Sequence, residues 1–133
     1  MEERDMAALV RRDAVPADSG EIARLYNALD TVNETDHPRT ARLIAAGRVK
    51  MAQRLIEEAA EVALEVARHR SRSVVRESAD LVYQLIVLWR ECGITPEDVW
   101  GEMRRRADRF GLAEKLPKAC EEAASKTHAG RRA

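Results

Sequence analysis

Aromatic residues are scarce in this chain, at 4% of its 133 residues. No segment alternates apolar and polar side chains as a half-buried strand does, and β-branched clusters are few. Both absences exclude an ordinary β-sandwich or barrel. No segment reaches the roughly 18 uncharged apolar residues that a membrane span requires, so no membrane partner is expected. An excess of charge is also missing, because 23 Lys and Arg balance 23 Asp and Glu. A general nucleic-acid binder needs a basic surface, so no nucleic-acid partner is expected. A local basic pocket for a phosphorylated small molecule remains allowed. Cys92 and Cys120 stand far apart and fit no metal or redox spacing. The expectation is a reduced, cytoplasmic protein. Met1 to Asp18 mixes charges without a long apolar run, so no signal peptide is expected.

What is present is helical periodicity. The length suits one domain, and the predicted organisation is a lead-in over 1–17, an all-α domain over 18–116 and a solvated tail over 117–133. A first helix is predicted from Asp18, with Glu21 at capping-box spacing, because Ile22, Leu25, Leu29 and Val32 recur at helical intervals. Asn33 to Pro38 reads as a loop. Thr40 is predicted to cap a short helix ending at Gly47. Two long helices follow, over about 48–69 and 73–92, the second stopped by Gly93. Thr95-Pro96-Glu97-Asp98 opens a last helix cleanly: a capping hydroxyl, proline in the first turn, then acids against the helix dipole.

The chemistry concentrates on the two long helices. On a wheel at about 100° per residue, Met51, Leu55, Ala59, Val62 and Val66 form one apolar stripe. Ile56, Ala60, Ala63 and Leu64 extend it round the back. The polar residues Lys50, Arg54, Glu57, Glu58, Glu61 and Glu65 crowd into one band. The next helix repeats the arrangement, with Glu77, Asp80, Gln84 and Glu91 on a thin polar stripe. Both helices read as buried on most sides. Packed antiparallel, their stripes can face each other. Apposed carboxylates repel, and desolvation raises their pKa; a cation removes both costs. Hard oxygen donors favour Mg²⁺, with Mn²⁺ also possible. Glu57 with Glu61, Glu58 with Glu61, and Glu77 with Asp80 lie on single helix faces and can clamp an ion without a loop. Either acidic motif alone is common on solvated helices; the pair, embedded in apolar helices, is the stronger signal.

The stretch from Thr40 to Glu102 resembles phosphoribosyl-ATP pyrophosphohydrolase, the histidine-pathway member of the all-α MazG-type nucleotide pyrophosphohydrolases. The resemblance is carried by Thr40-Ala41-Arg42-Leu43, Ala46-Gly47, Lys50 and Glu57-Glu58-Ala59-Ala60-Glu61-Val62. It continues through Glu77-Ser78-Ala79-Asp80-Leu81-Val82-Tyr83, then Leu85, Val87, Leu88, Gly93-Ile94, Asp98-Val99 and Glu102. It implies a helical bundle completed by homodimerisation. It further implies hydrolysis of the α–β phosphoanhydride of phosphoribosyl-ATP to phosphoribosyl-AMP and pyrophosphate. Glu57, Glu58, Glu61, Glu77 and Asp80 would hold Mg²⁺, and Lys50 would hold phosphate.

Three places depart from the family pattern. Pro38-Arg39 replaces Ser-Tyr, Ile56 replaces a glycine before the paired glutamates, and Gln84 replaces a histidine after Tyr83. Gln84 falls on the acidic stripe, where a neutral amide offers a different donor and acceptor pattern to sugar or base. A nucleotide preference unlike that of a typical pathway enzyme is therefore expected. Glu58 or Glu61 is the expected proton acceptor from the attacking water. Lys50, Arg54 and Gln84 are the expected substrate contacts, although Arg54 serves equally well as a salt-bridge partner of Glu57 and Glu58. His37, His69 and His128 lack clustered partners. Tyr83 is placed away from the stripe, as a core or dimer contact. Two other readings stay open: cleavage of another nucleoside triphosphate, or an idle helical dimer that binds a nucleotide or a protein. Five acids at clamp spacing argue against idleness, because buried charge without a ligand is costly.

Overall fold

A computed structural model describes residues 16–112, and among these the structure is entirely helical. The lead-in as far as Val15 and the tail over 117–133 lie outside the described residues. The helices are α1 (Glu21–Ala28), α2 (Pro38–Ala46), α3 (Arg48–Ala67), α4 (Ser71–Glu91) and α5 (Pro96–Phe110), with one 3₁₀ turn at Leu29–Thr31. The chain divides into two compact units at Cys92 and Gly93.

In the first unit, α3 and α4 form the central hairpin. Arg68 to Arg70 make the turn, in which His69 takes a left-handed φ of 56°. The hairpin is antiparallel: Arg48, at the start of α3, donates to the Glu91 carbonyl at the end of α4 (2.9 Å). Helix α1 lies against α4, where Arg90 donates to the Tyr26 carbonyl (3.2 Å) and pairs with Asp30. Helix α2 packs on α3 and is tied to α4 by a hydroxyl–hydroxyl bond between Thr40 and Tyr83. Leu29, Met51, Ile86 and Val87 are the buried apolar core, ringed by Ile22, Leu25, Leu43, Ile44 and Trp89. Burying a side chain such as Ile86 stabilises by about 1.5–3 kcal/mol.

Several local expectations need correction. Asp18 does not cap α1; its Oδ1 accepts from the Gly20 amide, and the helix starts at Glu21. The helix also gives way to a 3₁₀ turn before Val32. Thr40 lies inside α2, whose N-cap position is His37 with Pro38 at the first turn. The larger correction concerns burial. Val49, Ile56 and Val75 are 76%, 70% and 70% exposed, so the backs of α3 and α4 are open in a single chain. Helical periodicity identifies an apolar face but not which molecule covers it.

In the second unit, Thr95 caps α5 as expected, and Asp98 completes a reciprocal capping box that was not expected. The Thr95 hydroxyl accepts from the Asp98 amide (3.2 Å), and the Asp98 carboxylate accepts from the Thr95 amide (2.9 Å). Those bonds, the backbone one first, hold the Asp98 carboxyl below its usual range. Arg105 and Arg106 donate to Glu102 and lower its pKa to about 2. Gly111 ends the helix at φ 78°, a left-handed conformation that costs glycine little.

Candidate active site

The paired stripes of α3 and α4 meet as acids. Glu58 from α3 and Glu77 and Asp80 from α4 each offer a carboxylate oxygen, and these oxygens lie within 4.8 Å of one another. Periodicity explains the α4 pair: Glu77 and Asp80 are one turn apart on one face. The antiparallel hairpin supplies Glu58. Burial pushes the Glu77 carboxyl above its ordinary range, and the charges of Glu61, Asp80, Glu58 and Glu65 push it further. Hard donors crowded against mutual repulsion fit a divalent cation such as Mg²⁺.

The other acids fall differently. Glu61 is exposed one turn after Glu58, makes no ion pair among the described residues, and has the largest charge effect on Glu77. Glu57 points toward Arg54, which donates to it at 2.9 Å and to Glu58 at 3.3 Å. The salt-bridge role of Arg54 is therefore realised. Glu65 is buried and paired with Arg68 (2.9 Å), with Arg70 at 3.9 Å, beside the hairpin turn. Lys50 is exposed on the same face of α3, one turn before Arg54.

A cavity of ≈ 370 Å³ opens beside the acids, lined by Arg39, Thr40 and Leu43 of α2, Arg54 and Glu58 of α3, and Asp80, Tyr83 and Gln84 of α4. Gln84 is only 6% exposed, and no hydrogen bond reaches its amide among the described residues. Leaving such a buried oxygen unpaired costs about 1–3 kcal/mol, a cost that binding sites commonly carry. Tyr83 packs against the core as expected, yet it is not remote from the stripe: it also lines the cavity and bonds Thr40 there. Sequence reasoning missed Arg39, Thr40 and Tyr83 as cavity residues. A wheel for one helix shows no third helix, and Thr40 meets Tyr83 across 43 positions. Among the described residues, no helix is long and apolar enough to cross a membrane.

Comparison with known proteins is consistent with this geometry. A family model described as phosphoribosyl-ATP pyrophosphohydrolase matches residues 22–107. Phosphoribosyl-ATP pyrophosphatase 2 of Rhodopseudomonas palustris is 48% identical over 113 residues, covering 84% of this chain and 86% of the relative. A protein of the same name from Bradyrhizobium diazoefficiens is 50% identical over 103 residues, 76% of this chain and 77% of its own. Phosphoribosyl-ATP pyrophosphatase of Gluconobacter oxydans is 43% identical over 96 residues, 71% and 72% of the two chains.

Proposed function

This chain belongs to the phosphoribosyl-ATP pyrophosphohydrolase family, and from that premise we propose that it hydrolyses phosphoribosyl-ATP to phosphoribosyl-AMP and pyrophosphate, a step of histidine biosynthesis. The observation that supports the reading is the convergence of Glu58, Glu77 and Asp80 beside a cavity whose lining also includes Arg39 and Arg54. Glu58, Glu77 and Asp80 would hold a divalent cation, Mg²⁺ or Mn²⁺, which when bound would neutralise phosphate oxygens and polarise water. Glu61 accepts the proton of the attacking water, because it alone of the α3 acids in this band is neither paired with arginine nor part of the close trio. The water oxygen bonds to one phosphorus of the α–β anhydride as that atom's bond to the bridging oxygen breaks; attack at the α-phosphorus sends the bridging oxygen out with pyrophosphate, and attack at the β-phosphorus leaves it on phosphoribosyl-AMP. Arg54 offers that pyrophosphate a guanidinium from the cavity wall, whereas Lys50, one turn earlier on α3, is not among the residues lining the cavity. Glu57 holds Arg54 in place (2.9 Å).

The working molecule is a homodimer. Val49, Ala52, Ile56, Ala60, Ala63 and Ala67 fall within about 80° on α3, and Val75, Ala79 and Val82 share a face of α4. All nine are exposed in a single chain. Small side chains let a second helical hairpin approach closely, and burial of Ile56 and Val75 drives the contact. A panel of nucleotides assayed for pyrophosphate release tests the substrate reading. The relatives named above favour phosphoribosyl-ATP as the preferred member over the atypical preference expected from Gln84, and equal or better release from ordinary triphosphates overturns it.

A further inference from the structure

We infer that Gln84 is a positioning residue for the ion: its amide oxygen accepts a hydrogen bond from a water carried by the cation that Glu58, Glu77 and Asp80 would hold. The inference rests on the proposed metal site and adds a residue to it. It moves Gln84 from contact with sugar or base to support of the cation.

Burial without partners is the first observation. Gln84 is the one polar residue among the buried positions of α4, the others being Ile86 and Val87. It is only 6% exposed, and its Oε1 has no hydrogen-bond partner among the described residues. A methionine there would carry no unpaired amide. The metal-free protein therefore bears a cost that a ligand can remove. Position is the second observation. Gln84 lines the same cavity as Glu58 and Asp80. It follows Asp80 by four residues and Glu77 by seven, so the three stand on one face of α4. Neighbours one turn apart lie about 5–6 Å from each other at Cβ.

That separation suits a contact through water. Mg²⁺ keeps several of its waters, and its bonds to oxygen are about 2.0–2.1 Å long. With one further hydrogen bond of about 2.8 Å, the path from a carboxylate oxygen to an amide oxygen spans up to about 7 Å. The chemistry of the lining singles out the amide. Water on a cation turns its lone pair to the ion and its hydrogens outward, so it needs an acceptor. Arg39 and Arg54 only donate. The hydroxyls of Thr40 and Tyr83 are bonded to each other. Leu43 offers no polar atom. Besides the carboxylates, the Gln84 Oε1 is the acceptor left over. Three ionised carboxylates already exceed the charge of a divalent ion. A neutral amide adds an acceptor without a fourth negative charge, which would repel the phosphates.

The test compares wild type, Gln84→Met and Gln84→Glu, with circular dichroism to confirm the fold. Mg²⁺ alone is titrated into each protein by calorimetry, and melting is followed in EDTA and in millimolar Mg²⁺. Gln84→Met is expected to bind Mg²⁺ about tenfold more weakly, as loss of an outer partner does at metal sites. In EDTA it should melt about 3–5 °C above wild type, because an unpaired buried amide is gone. It should then gain less from Mg²⁺. Gln84→Glu keeps an acceptor and should bind Mg²⁺ at least as tightly as wild type, while melting lower in EDTA. Line broadening of bound Mn²⁺ by isotopically labelled water should count the same number of coordinated waters in wild type and Gln84→Met. One more water in the variant would put the amide directly on the ion and overturn the contact through water. With phosphoribosyl-ATP, excess Mg²⁺ should restore most of the turnover that Gln84→Met loses at low Mg²⁺. A loss that excess Mg²⁺ leaves unrepaired assigns Gln84 to the substrate instead and overturns the inference. Equal Mg²⁺ affinity in wild type and Gln84→Met also overturns it, with the acidic trio left standing. Should wild type itself bind neither Mg²⁺ nor Mn²⁺, the metal site fails and this inference fails with it.

Discussion

The bond between Thr40 and Tyr83 fastens the helix carrying Arg39 to the helix carrying Asp80 and Gln84, and its removal has a predictable cost. Tyr83→Phe keeps the ring and deletes the hydroxyl. The pair is partly buried, so little water replaces the lost partner. A neutral hydrogen bond of this kind contributes about 0.5–1.5 kcal/mol net. For a chain of this size, 1 kcal/mol shifts Tm by about 3–5 °C. The loss should also appear in function, because α2 is then held against α4 by fewer contacts. KM for phosphoribosyl-ATP should rise by about fivefold, equivalent to ~1 kcal/mol, while kcat changes less. Thr40→Val tests the other partner. Two residues that act only on each other give a double variant no worse than either single one, so the cycle should return a coupling of about 1 kcal/mol. The assays are thermal melting and initial-rate kinetics on the four proteins. Additive losses, or single variants that melt and bind as wild type does, would refute the claim that this bond holds the cavity wall.

The raised pKa of Glu77 sets the sign of a pH effect. Its folded pKa lies above the unfolded value, so metal-free protein loses stability as pH rises from the unfolded pKa through the folded one. Added Mg²⁺ should offset that loss on the high-pH side, and melting with and without EDTA reads both. Glu77→Gln should flatten this part of the profile and remove the Mg²⁺ response; a wild-type Mg²⁺ response in that variant would place the ion elsewhere. Ile56→Asp should convert a dimer to a monomer at micromolar concentration, because a charge enters the apolar contact. Sedimentation that shows an unchanged dimer would move the interface off the backs of α3 and α4.

Local features were legible in the sequence because their causes are local. The Thr95 cap of α5 forms as expected, and the Asp98 carboxylate, expected only to face the helix dipole, also bonds back to the Thr95 amide three residues away. The acidic trio needed only helical periodicity and one antiparallel turn. Tyr83 shows the limit. It lies about 60° from Asp80 on the wheel, near enough to share a cavity once α2 covers that side, yet nothing on α4 announces α2. Burial shows another. Ile56 and Met51 are both apolar residues of α3, but Met51 is 1% exposed and Ile56 70%, since a single chain supplies partners for one face only.

The central claim is that Glu58, Glu77 and Asp80 hold the ion on which cleavage depends. Its most direct test is pyrophosphate release from phosphoribosyl-ATP by wild type and Asp80→Asn, each with millimolar Mg²⁺ and with EDTA. Wild type should turn over only with the divalent ion, and Asp80→Asn should lose most activity while keeping its helical circular dichroism spectrum. Full turnover in EDTA, or near-wild-type turnover by folded Asp80→Asn, would contradict the account.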